Sequence, residues 1–161
     1  MRRGVIIAVV LVVIAVLAVG GGVYALSGRN YRAHMSGTGN IATLGQGQAT
    51  FQFSRGDTTL HYKVIVANIE NVTQAHIHLA PAAGGNGPVV LWLYPSDPPP
   101  ELIPGRKDGV LMEGTVTSAD LVGPMAGMSL EDLKANIDKG LTYVNVHTSA
   151  NPGGEIRGDI R

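Results

Sequence analysis

Polar and apolar residues alternate from Thr59 to Val64, and this alternation limits the fold more than any other feature of the chain. Successive side chains of a strand point to opposite faces, so every second residue shares a face. Four apolar side chains would form the inner face: Leu60, Tyr62, Val64 and Val66. Residues 49–53 would pair with this strand as a hairpin across residues 54–57. The pattern predicts an all-β domain.

Glycine and proline separate the remaining segments. The chain has 22 Gly and 9 Pro, which suit a loop-rich β protein better than a helical one. Further strands are predicted at residues 75–79, 89–93, 110–116, 141–148 and 155–161, with a turn at 68–74 and a surface loop at 95–109. Capping signatures at Thr117 and Ser129 predict one or two short helices. The apolar stripe Leu130, Leu133 and Ile137 would let the second helix cover one end of the fold.

The charge balance and the lack of cysteine exclude several classes of function. Lys and Arg number 12, as do Asp and Glu, so the formal charge is zero and no nucleic-acid partner is expected. Without cysteine, disulfides, thiolate metal sites and cysteine nucleophiles are excluded.

An uncharged apolar run from Gly4 to Gly28 follows Arg2 and Arg3. About 20 apolar residues cross a bilayer as a helix, whereas the apolar part of a cleaved signal peptide usually has about 7 to 15. The length favours an N-terminal transmembrane helix that anchors the chain in the cell membrane by a single pass. Arg2 and Arg3 before the run favour a C-terminal domain outside the cytoplasm, while Arg29 and Arg32 after it nearly balance them on the positive-inside count. The alternative is a signal peptide cut near Ala25, which would make the domain a secreted one.

The sequence therefore divides into three parts. Residues 1–28 form the transmembrane anchor or signal peptide. Residues 29–40, which mix glycine with polar side chains, form a flexible tether. Residues 41–161 form a single folded domain, which is long enough for one core.

Three of the five histidines lie in two strand-like segments. His76 and His78 are alternate residues of one strand and project from the same face. His147 lies on the polar face of the other strand, opposite Val144 and Val146. If these strands lie together, the three imidazoles converge and can bind one cation through nitrogen. The ligand type favours Cu(II) or Zn(II), with copper preferred by the general order of affinities.

The same histidines allow a structural interpretation. Their rings would hydrogen-bond the turn backbone and the side chains of Asn145 or Thr148, and so hold the turn at residues 151–154. Acid–base catalysis is a third possibility, because imidazole titrates near neutral pH, but no nucleophile accompanies the rings. His61 would either supply a fourth nitrogen or be solvated. For the turn itself, we expect Glu155 to pair with a neighbour such as Arg157.

Several motifs occur in a fixed order along the chain: AHIH at 75–78, GPVV at 87–90, GTVT at 114–117, YVNVHT at 143–148 and NPGGEIRG at 151–158. In this order they resemble the CHRD domain, which was first named from chordin, over roughly residues 40 to 161. The resemblance implies a Greek-key β-sandwich of the immunoglobulin-like or superoxide-dismutase-like kind. Because chordin is an extracellular binder of signalling proteins, it also implies an extracellular protein partner.

The histidine pattern is similar to that of the copper-zinc superoxide dismutases, in which a His-x-His strand and a late histidine bind copper. This resemblance implies that His76, His78 and His147 are copper ligands and that Arg157 stands beside the copper. The pattern departs from those enzymes after His78, where no histidine matches their metal-bridging ligand. Residues 80–87 also lack the His and Asp set that binds zinc.

Three hypotheses of function follow. The leading one is a membrane-anchored extracytoplasmic binding protein, not an enzyme, that binds copper through its three histidines. The second is a dismutase-like copper redox enzyme, which needs a redox-active metal with an open coordination position. The third is an adhesion or protein-interaction module in which the histidines are structural.

Overall fold

A computed structural model describes residues 28–161, and these form strands with a few short helical segments. The strands are β1 (Asn30–Gly37), β2 (Gln46–Phe53), β3 (Leu60–Leu79), β4 (Val89–Tyr94), β5 (Ile103–Val116), β6 (Thr142–Thr148) and β7 (Ile156–Asp159). The helical segments are the 3₁₀ turns Ser118–Asp120 and Gly123–Met125 and the helix α1, Leu130–Asp138. The predicted transmembrane helix or signal peptide lies outside the described residues, except for Gly28. Within residues 28–161, no helix is both long enough and apolar enough to cross a bilayer.

One antiparallel sheet closes on itself to form a barrel. The strands follow the order β2-β1-β7-β6-β3, and β2 also pairs with β3. β4 and β5 both pair with β3 and extend the sheet beyond the barrel. The all-β prediction is confirmed. Hydrogen bonding is continuous around the ring, so a closed barrel with extra strands describes the fold more closely than two stacked sheets.

β1 extends the domain toward the N-terminus. Its Tyr31, Ala33 and Met35 are buried, while Arg32 and His34 are exposed. β1 pairs with β2 along most of its length and with β7 at its end. The prediction of a flexible tether at residues 29–40 was therefore wrong. These residues alternate apolar and polar side chains, and pairing with two neighbours gives that apolar face a core to pack in.

β3 runs without interruption through the residues predicted to be a turn. Up to Val66 its even-numbered side chains face the core, whereas later the odd-numbered Ala75 and Ile77 do. The phase changes around Asn68 and Asn71, which have φ of 55° and 52° and where the pairing with β5 shifts register. Asparagine tolerates this left-handed conformation, so the strand bulges and continues. The bulges place residues 76 and 78 on the outer face of the barrel.

β5 begins within the predicted surface loop. Its first residues pair with β3 near the bulges, where the Gly105 N–H donates to Asn71 Oδ1 at 2.9 Å. Proline is tolerated here because Pro104 lies in a strand with a neighbour on one side only. The expectation of a loop at 95–109 was thus wrong for its second half.

The helix after Ser129 is confirmed. The Ser129 hydroxyl accepts from the Asp132 N–H, and the Asp132 carboxylate accepts from the Ser129 N–H, which makes a capping box. Its three predicted apolar residues are buried in the same core as the barrel interior. The largest fully buried side chains of that core include Phe51, Phe53, Met35, Leu60, Ile69, Ile77, Leu91, Met125, Leu130, Leu133, Ile156 and Ile160.

Candidate metal centre

The pairing of β3 with β6 brings the three predicted histidines to one face of the sheet. His76 lies opposite Asn145, and Gln74 lies opposite His147. Directly paired residues share a face, and the core-facing positions of these strands are occupied by residues such as Ile77. The cluster therefore lies on the outer face of the barrel.

One ring nitrogen from each histidine lies within 4.8 Å of the other two. The shortest separation is 3.2 Å, between His76 Nδ1 and His147 Nε2. Two nitrogens bound to one ion at about 2.0–2.1 Å stand about 2.9–3.4 Å apart in square or tetrahedral geometry. This pair already has the separation of two ligands of one metal ion, and His78 completes the group of three.

Two loops cover the cluster and orient its rings: the first follows β3 at residues 80–88, and the second follows β6 at residues 149–155. His78 Nδ1 lies 2.8 Å from the Gly87 carbonyl oxygen, and His147 Nδ1 lies 2.8 Å from that of Pro152. A carbonyl oxygen only accepts, so both Nδ1 atoms carry the proton and both Nε2 atoms keep a lone pair. Metal-binding histidines commonly donate their second ring nitrogen in this way. The geometry thus fixes two tautomers in the form that can coordinate a cation.

His76 is the most buried of the three rings, with 2% of its surface exposed. Its Nδ1 points toward His147, and its ring packs edge-on against Trp92 with centroids 4.3 Å apart. Among the described residues, no hydrogen-bond partner reaches its buried Nε2. The aromatic contact and the neighbouring rings hold His76 in place instead.

Burial lowers the pKa of all three histidines. The pKa of His76 falls to about 3, first because of burial and then because of the charges that His147 and His78 would carry. For His78 and His147, hydrogen bonds to the loop carbonyls oppose the effect of burial on the pKa but do not cancel it. At neutral pH the cluster therefore presents lone pairs rather than positive charges.

Asn145 lies in the middle of the cluster. Its Oδ1 is 3.0 Å from His78 Nε2 and 3.0 Å from His147 Nε2, and the residue is 4% exposed. From the sequence, Asn145 was expected to be a hydrogen-bond partner of the histidines, but its position at the centre of the cluster was not predicted. Its alternation with His147 along β6 was the signal that both share a face.

Tyr143 and Arg157 form a stack on one side of the cluster, which sequence reasoning missed. The Tyr143 ring stacks on His78, with centroids 4.7 Å apart and planes at 6°. The Arg157 guanidinium carbon lies 3.4 Å from the centroid of the Tyr143 ring. Arg157 also donates to Asn86 Oδ1 and to the Gly85 carbonyl oxygen, so it ties the loop after β3 to β7. Arg157 thus reaches the cluster through Tyr143 rather than by direct contact.

Glu155 fixes the loop between β6 and β7, which carries Pro152. Its carboxylate accepts from Thr43, Thr148 and Asn151 at 2.6, 2.7 and 3.1 Å. Burial would raise the pKa of Glu155, but these three hydrogen bonds together hold it below the ordinary value. The expected partner Arg157 was therefore wrong. His61 lies apart from the cluster, with its ring 3.2 Å from the Thr115 hydroxyl.

The sequence profile of the CHRD domain matches residues 25–160, which is most of the chain. No curated protein and no solved structure matches the chain significantly. The similarity of the histidine pattern to copper-zinc superoxide dismutases therefore stays a prediction. On the extent of the profile match and the β architecture described above, the chain belongs to the CHRD domain family.

Proposed function

We propose that this protein is a membrane-anchored, extracytoplasmic CHRD-domain binding protein in which His76, His78 and His147 hold one copper ion. The observation that carries the proposal is the set of lone pairs at the cluster. Two Nε2 atoms are kept unprotonated by backbone carbonyls, and His76 Nδ1 faces one of them at 3.2 Å. His76 Nδ1 can donate to the His147 lone pair when no metal is present, and a cation in the place of that proton would accept a lone pair from each of the three rings.

Copper is favoured over zinc by the general affinity order, since imidazole suits both metals. Further donors to the ion would come either from this chain or from a bound ligand. The two loops that cover the cluster would limit the access of water to it. We assign the protein a role in binding rather than in turnover.

The anchored location rests on the apolar run from Gly4 to Gly28, which has the length of a bilayer-spanning helix. Arg2 and Arg3 before the run favour a short cytoplasmic tail. The CHRD domain would then face the exterior, where a protein partner can reach it.

A second candidate function is an interaction module with structural histidines. The bonds from His78 to Gly87 and from His147 to Pro152 favour it, because each fixes a loop without any metal. In this case the outer surface would bind an extracellular protein, and metal would have no effect on the fold.

Copper titration of the full chain, purified in mild detergent without chelators, separates the two candidates. We expect one tightly bound Cu(II) per chain, and we expect His147→Ala to abolish tight binding because it removes one of three ligands. His61→Ala is the matched control, since this histidine lies on β3 but outside the cluster. Circular dichroism checks that each variant is folded. Equal copper affinity in the wild type and in a folded His147→Ala chain would contradict the metal site.

A further inference from the structure

The side-chain oxygen of Asn145 lies among the ring nitrogens of the histidine cluster. It lies 3.0 Å from two of the three ring nitrogens, and His147 Nε2 is in turn 3.2 Å from His76 Nδ1. Ligands of one ion with bonds of about 2.0–2.2 Å are separated by about 2.9–3.5 Å. The three separations 3.0, 3.0 and 3.2 Å thus have the length expected between ligands of one small cation, and the three histidine nitrogens lie within 4.8 Å of one another.

The protonation of the rings makes this arrangement unfavourable without a cation. Both Nε2 atoms near Asn145 Oδ1 carry lone pairs, because the Nδ1 protons are donated to Gly87 and Pro152. An amide oxygen is also only an acceptor, so two acceptor pairs face each other at 3.0 Å in a buried site. A metal ion bound by these three atoms would replace both repulsive contacts with three coordinate bonds.

The amide of Asn145 is oriented with its oxygen toward the histidines and its nitrogen toward the turn after β6. The amide nitrogen lies on the side of Gly154, where a Cβ would come within 2.6 Å of Nδ2. Gly154 has φ of 107°, a backbone conformation that residues with a Cβ rarely adopt, and its lack of a side chain leaves room for the amide of Asn145. In this orientation Nδ2 lies on the side of the turn and Oδ1 faces the imidazoles.

We infer that Asn145 is the fourth metal ligand, which gives the site three imidazole nitrogens and one amide oxygen. This inference rests on the proposed metal function. An amide oxygen is a neutral donor, so the bound Cu(II) or Zn(II) keeps its full charge and the site attracts a further anionic or neutral ligand at any open position. In the alternative arrangement the side-chain amide of Asn145 is flipped. Its Nδ2 then donates hydrogen bonds to the ring nitrogens and competes with the metal for their lone pairs.

The test compares Cu(II) affinity and electron paramagnetic resonance spectra of the full chain and two variants. Affinity is measured by competition with a chelator, and the g value and copper hyperfine splitting report the mixture of nitrogen and oxygen ligands. Asn145→Ala removes the oxygen, so we expect affinity to fall by at least about tenfold and the spectrum to change. Asn145→Asp keeps an oxygen and adds a negative charge, so we expect affinity at least equal to that of the wild type. Asn136→Ala, an amide removed from α1, is the control.

Each result decides between the arrangements. Unchanged or tighter binding by Asn145→Ala, with the wild-type spectrum, would overturn the assignment of Asn145 while leaving the three-histidine site in place. Loss of copper by both Asn145 variants, in chains whose unfolding temperature is unchanged, would also overturn it, since aspartate retains the donor. Absence of copper binding by the wild type would end the proposed function and this inference together.

Discussion

At the scale of single residues, alternation was enough to select the histidines but not their partners. His76, His78 and His147 could be predicted because strand geometry puts alternate residues on one face. The central place of Asn145 and the Tyr143–Arg157 stack depend on how β6 lies between β3 and β7. The loop carbonyls that fix the tautomers depend on loop conformation, for which the sequence has no periodic signal.

Glu155 should make stability depend on pH in the acid range. Its folded-state pKa is below the ordinary value of 4.5, so its hydrogen bonds stabilise the fold above that pH and are lost as the pH falls through the folded pKa. Glu155→Gln removes the charge, so the variant should be less stable than the wild type at pH 7. The difference should shrink as the pH falls from 4.5 through the lower folded-state pKa, where the carboxylate becomes protonated in the folded chain as well.

Urea unfolding of both chains between pH 3 and pH 7 would measure this difference, with Glu131→Gln, an exposed glutamate of α1, as control. A difference in unfolding free energy that stays constant over this range would contradict the assigned role of the carboxylate.

At the scale of elements, α1 was predictable because its signals are local. The Ser129 cap, the acidic first turn and the apolar stripe all lie within ten residues. β1 and the middle of β3 were missed for a different reason. Glycine near β1 and the asparagines in β3 are also typical of turns and linkers, and only pairing with distant strands keeps these segments extended.

Ser129→Ala should destabilise the domain by about 1 kcal/mol, because the first turn of α1 loses its hydrogen-bonded cap. The helix carries three buried side chains of the core, so the loss should appear in global unfolding rather than in α1 alone. Urea denaturation followed by circular dichroism gives the value. Ser118→Ala, at an exposed serine that does not cap a helix, should be neutral. Equal stabilities of the two variants would contradict the role of the cap.

At the scale of the whole molecule, the all-β class followed from composition and alternation, whereas closure of the barrel did not. Closure requires β1 between β2 and β7 and the second pairing of β2 with β3. The hairpin of β2 with β3 is local and was predicted, but the pairings of β1 with β7 and of β3 with β6 join residues far apart in sequence. A single sequence carries no direct signal of such distant pairing.

Two truncations should separate the anchor from the barrel. A chain lacking residues 1–27 keeps every described strand, so we expect it to unfold cooperatively and, on the anchor proposal, to leave the membrane fraction. A chain lacking residues 1–40 loses β1 and exposes the edges of β2 and β7, so it should lose cooperative thermal unfolding. Circular dichroism and membrane fractionation are the measurements. The same melting temperature for both truncations would show that β1 is dispensable.

β3 pairs with β2, β4, β5 and β6, so one segment takes part in most of the ladder contacts of the domain. Separating β3 from any one of these strands would also weaken its pairing with the other three. A partly unfolded form of the domain would therefore have little stability. Amide hydrogens along both halves of β3 should then exchange with a common free energy. A protease in the surrounding medium would accordingly meet chains that are either intact or wholly open, and digestion would leave few long-lived fragments.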